Sequence, residues 1–86
     1  MAEKKTAKKV ATSKKTATEI SIVINAENVG FKAGDVYQTL ASANKALSVE
    51  EIAKLANITV EETYLGIGWL FKEGKVKDQD NLITLA

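Results

Sequence analysis

The chain has no cysteine, histidine, proline or arginine, and all twelve of its cations are lysine. Without cysteine and histidine there is no disulfide staple, thiol nucleophile, imidazole base or soft metal ligand. Without arginine there is no planar fork to grip a guanine edge. The five glycines are scattered at 30, 34, 66, 68 and 74, so no glycine-rich phosphate loop forms. No long apolar run is present either: the first, Ile20 to Ile24, spans five residues and is interrupted by Ser21. That is too short for the core of an export signal or for a membrane span. These absences point to a non-enzymatic, cytoplasmic protein with no cofactor, no metal and no membrane partner. Asp78, Asp80 and Asn81 resemble part of a calcium loop but lack its glycine and closing glutamate, so they fit a turn better.

At 86 residues the chain has room for one small domain. Its formal charge of +1 conceals two opposite halves. Residues 1–18 hold six Lys against one Glu, whereas residues 19–86 hold six Lys against ten acids. The first segment repeats Lys-Lys-Thr-Ala at 4–7 and 14–17, and Val10 is its one sizeable apolar side chain after Met1. Such a composition predicts a disordered tail over 1–18, joined to an ordered domain over 19–86. Lys4, Lys5, Lys8, Lys9, Lys14 and Lys15 either solubilise the chain or form an arm that holds phosphates. They cannot read base sequence.

The ordered part opens with Ile20, Ile22 and Ile24 at alternate positions, which predicts a short strand broken by Asn25 to Gly30. Ala33, Val36, Tyr37, Leu40 and Ala43 then recur at helical spacing and predict a helix from Phe31 to about Asn44. Ser48-Val49-Glu50-Glu51 and Thr59-Val60-Glu61-Glu62 are both capping boxes, so helices should start at Val49 and Val60. Gly74 should stop the second of these. Asn57, Ile58 and the capping Thr59 separate the two, a turn short enough for a helix-turn-helix. Lys75-Val76-Lys77 and Leu82 to Leu85 flank the polar run Asp78 to Asn81 and predict a hairpin. The order therefore predicts an α+β winged helix-turn-helix: three helices, a C-terminal β-hairpin wing and an additional N-terminal strand.

The run LSVEEIAKLANITVEETYLGIGWLFKEGKV, residues 47–76, resembles the helix-turn-helix of bacterial winged-helix regulators. Gly68-Trp69-Leu70 together with Glu73-Gly74-Lys75-Val76 is more similar still to a family of small bacterial winged-helix domains of unknown function. The resemblance covers residues 19–86. It implies the winged helix, allows a homodimer and implies no reaction.

Helical projection of the third helix assigns Val60, Tyr64, Ile67, Leu70 and Phe71 to the core. It assigns Glu61, Glu62, Leu65, Trp69, Lys72 and Glu73 to the outward face. Acid at the start of a recognition helix repels phosphate, although both Glu also suit a helix N-terminus. Leu65 and Trp69, beside two glycines, form either an anchor for a partner or a surface covered by the first helix or the N-terminal strand. Two functions follow. One is weakly selective DNA binding, with phosphate contacts from the six tail lysines and from Lys72, Lys75 and Lys77. The other is a protein-interaction module that homodimerises or docks a partner through Leu65 and Trp69.

Overall fold

The computed structural model describes residues 22–86. The lysine-rich segment and the first residues of the expected strand lie outside them. Three helices are followed by a two-stranded antiparallel hairpin: α1 (Ala26–Ala43), α2 (Val49–Ala56), α3 (Val60–Lys72), β1 (Val76–Gln79) and β2 (Leu82–Leu85). This is a winged helix.

Helix α1 starts five residues earlier than the apolar spacing predicts. Asn25 caps it, accepting through its side chain from the Asn28 N–H at 2.7 Å. Asn28 in turn donates from Nδ2 to the Val23 carbonyl at 2.8 Å, which fixes the incoming chain against the first turn. Residues Ile22 to Ile24 form neither helix nor strand, and Ile24 is 70% exposed. Among the described residues no strand precedes α1, so the expected inner face of Ile22 and Ile24 does not form. Asn25, expected to break a strand, instead starts a helix through its side chain.

The other boundaries follow the sequence closely. Both capping boxes are complete: Ser48 and Thr59 each accept from the amide of the third helical residue, and Glu51 and Glu62 each accept from the capping residue's N–H. Asn44 and Asn57 end α1 and α2 in the left-handed region, at φ 55° and 60°. Gly74, at φ 71°, follows the end of α3. The wing is tighter than expected. Asp78 and Gln79 belong to β1, leaving a two-residue loop of Asp80 and Asn81, both at positive φ. That is the backbone of a mirror-image hairpin turn, which Asp and Asn tolerate best after glycine.

The core lies where α1 crosses α3, closed below by α2 and at the side by the wing. Val36, Leu40, Leu47, Ile52, Ile67, Leu70, Val76 and Ile83 are its larger members, with Ile58 packed against it from the helix-turn-helix turn. The link between α1 and α2 joins the wing as well. Leu47 and Ile83 exchange two backbone hydrogen bonds at 2.9 and 2.8 Å.

Candidate nucleic-acid interface

In winged helices, the third helix and the wing present the surface that meets DNA. Which side of α3 points outward therefore decides what this chain can do. The buried side consists of Thr63, Gly66, Ile67 and Leu70. Thr63 is 0% exposed, and its hydroxyl donates to the Thr59 carbonyl at 2.8 Å, so no polar group is stranded. Gly66 meets the backbone of α1 directly. A Cβ there would lie 2.7 Å from the Lys32 carbonyl oxygen and 2.9 Å from its carbon. Only glycine allows the two helices to come this close.

This close approach turns α3 away from the orientation that its apolar projection predicts. Tyr64 and Phe71, expected in the core, are 58% and 43% exposed. Trp69, expected outside, packs against the core with its indole over Gly30 of α1. Leu65 is partly buried. Glu62, also expected outside, is partly buried and pairs with Lys32, Nζ to Oε2 at 3.6 Å. The first helix thus covers part of Trp69, whose indole stays partly exposed. The signal that could have given the orientation is Gly66, taken as the point of closest helix approach rather than as a gap beside Leu65 and Trp69.

The outward arc of α3 runs through Phe71, Tyr64, Gly68, Glu61 and Lys72. It carries one acid at its N-terminal end and one cation at its C-terminal end. Lys75 and Lys77 follow on the wing, both exposed; Lys75 lies 3.7 Å from Glu73, a surface pair of little energetic weight. Cross-strand partners share a face, so Lys77, opposite Thr84, lies on the side of the hairpin away from Val76 and Ile83. Three of the nine lysines assigned to phosphate contact are thus at the surface near one end of α3. The other six, Lys4 to Lys15, lie outside the described residues.

Between α3, the start of α2 and the wing runs a groove of about 570 Å³ that periodicity along the chain does not reveal. Tyr64 and Phe71 wall it, Val49 and Leu82 line it, and Glu50, Asp78 and Asp80 supply its charge. Asp78 sits there because it is opposite Ile83 and so shares the inner face of the hairpin.

The electrostatics of the helix starts are settled by their caps. The Ser48 N–H holds the Glu51 carboxyl below its ordinary value, and the Thr59 N–H does the same for Glu62, helped by Lys32. Both glutamates are thus occupied with helix-start chemistry. Among the described residues no group of three or more His, Cys, Asp or Glu is placed to hold a metal ion. No described helix is long and apolar enough to cross a membrane.

Residues 24–84 match the winged helix-turn-helix domain family DUF2582. The chain belongs to this family. Comparison with curated proteins and with solved structures gave no match. Membership in DUF2582 agrees with the three helices and hairpin described above, and it fits a DNA-associated role without specifying a target.

Proposed function

We propose that the chain is a non-enzymatic winged-helix protein that associates with DNA with little sequence selectivity. Its phosphate contacts come from Lys72, Lys75 and Lys77 and from the lysines of residues 1–18. The observation that carries this reading is the exposure of Lys72, Lys75 and Lys77 in one short stretch, at the end of the helix that such domains lay against DNA. Weak selectivity follows from the rest of the outward arc. Glu61 faces where phosphate or base edges would lie, and no arginine exists to make a bidentate contact. Affinity should then be mostly electrostatic and fall steeply with salt.

Titration of a duplex of arbitrary sequence at two salt concentrations tests this. The intact chain should bind, with an affinity that falls as salt rises. Replacing the six lysines of residues 1–18 by glutamine should remove most of the binding, and Lys75→Gln with Lys77→Gln should weaken the remainder. Absence of binding by the intact chain at low salt would reject the reading.

A second reading has its own observation. Tyr64 and Phe71 are large, aromatic and exposed on the side of α3 that would otherwise face DNA, and exposed aromatic groups are the residue type that anchors protein interfaces. In this reading the domain docks a protein or a second copy through these two residues, in place of Leu65 and Trp69. Sedimentation of the intact chain and of a Tyr64→Ser, Phe71→Ser variant checks it. A dimer that becomes a monomer supports this face as the interface, and a monomer in both removes the homodimer.

A further inference from the structure

We propose that the groove between α3 and the wing is a docking site for the chain's own lysine-rich N-terminal segment, residues 1–18. The groove combines two chemistries. Its interior is apolar, with Val49 and Leu82 partly buried and Ile67 and Ile83 buried beneath, and with the rings of Tyr64 and Phe71 as walls. Its charge is of one sign: Glu50, Asp78 and Asp80 are exposed around it, and no lysine lines it. The segment has the complementary pattern. Lys8 and Lys9 precede Val10, and Lys14 and Lys15 follow it, within a stretch whose other side chains are small. Val10 suits the apolar interior, and the flanking ammonium groups suit the carboxylates and the faces of Tyr64 and Phe71.

Reach and direction both permit the contact. Lys32 meets Glu62, the Lys32 backbone meets Gly66, and Gly30 meets Trp69. Helix α1 therefore runs antiparallel to α3, and its N-terminus lies beyond the α3 end that carries Phe71. The described chain thus begins, at Ile22, near the same end of α3 as Phe71. Eighteen residues extend up to about 60 Å at roughly 3.3 Å each, against a longest dimension of 36 Å for the fold. The attachment is intramolecular, so the local concentration of the segment is high and modest pairwise attractions suffice. The inference holds whether or not the chain binds DNA. If it does, phosphate and groove compete for the same lysines.

The absence of native cysteine makes a direct test simple. A nitroxide is attached to the intact chain at Ala7→Cys, and paramagnetic line broadening is read at the backbone amides. Broadening centred on Tyr64, Phe71, Asp80 and Leu82 is expected, with amides on the far side of α1, such as Asp35, unaffected. Substituting Glu50→Gln, Asp78→Asn and Asp80→Asn, all exposed, should abolish the broadening while leaving amide dispersion native. Labelled chain without isotope mixed with isotope-enriched unlabelled chain should show none. Unbroadened groove amides in the labelled chain would overturn the proposal. So would broadening that persists in the triple variant, or broadening in the mixture equal to that within the chain, which would place the segment on a second copy.

Discussion

Two sides of α3, made from adjacent residues, follow opposite rules. The side that faces α1 is built from Thr63, Gly66 and Leu70 and is buried, although it holds a hydroxyl and a residue with no side chain. The side near the wing carries Tyr64 and Phe71 and is exposed. Burial here follows the distance of closest approach between helices more than the hydropathy of the stripe. Close approach brings backbone against backbone, and the dispersion attraction between the two replaces what a large side chain would have supplied. The aromatic stripe is left for another occupant.

The largest test of this difference is Trp69→Ala. Trp69 fills the space over Gly30, and its truncation should cost about 3 kcal/mol, at the low end for a core aromatic because the indole is only partly buried. Urea unfolding reads the loss. Gly66→Ala comes next, at about 1–3 kcal/mol, since the added methyl meets backbone that cannot rotate away. An unchanged midpoint for Gly66→Ala would show that the helices can separate and would undo the comparison.

How much of this is legible in the sequence depends on the range of the interactions. The starts of α2 and α3 are, because a capping box is closed by residues three apart. Their ends are too, since Asn57 and Gly74 adopt positive φ locally. The start of α1 is less so: Asn25 can cap or break, and its partner Asn28 decides which. The orientation of α3 is not legible from its own periodicity. Its cause lies over thirty residues away, in the Lys32 carbonyl. The groove is hidden for the same reason, as it exists only once Tyr64 and Phe71 turn outward. Lys72, Lys75 and Lys77 are surface cations, as their positions in the pattern imply, whereas Leu65 is partly buried and Trp69 lies against Gly30 of α1.

Smaller effects sharpen the contrast. Gly68 lies two residues from Gly66 but faces solvent, with nothing within 4 Å of where a Cβ would stand. Gly68→Ala should therefore stabilise the fold by about 0.5–1 kcal/mol, opposite in sign to Gly66→Ala. The same unfolding curves report it.

Acid should act on the helix starts. The folded-state pKa values of Glu51 and Glu62 lie below the ordinary 4.5. Their contribution to stability is complete above that value and is lost as pH falls through the lowered ones. Melting temperature should thus decline below about pH 4.5, and Glu51→Gln with Glu62→Gln should flatten the decline. Least of all, Tyr64→Ser should change stability by under about 0.5 kcal/mol in an isolated chain, as expected of a surface position. A larger loss would mean that the segment docked on Tyr64 adds measurably to the stability of the fold.

The paired hydrogen bonds between Leu47 and Ile83 give the wing a role beyond its two strands. They make the link between α1 and α2 a third, one-residue rung of the hairpin. A hairpin attached only through α3 would swing as a flap, with its amides exchanging in solvent independently of the helices. Anchored at Leu47, it opens only when the joint between two helices opens too. A ligand that pulls on the wing therefore loads the α1–α2 joint directly, and the Leu47 and Ile83 amides should exchange together, at the rate of global unfolding.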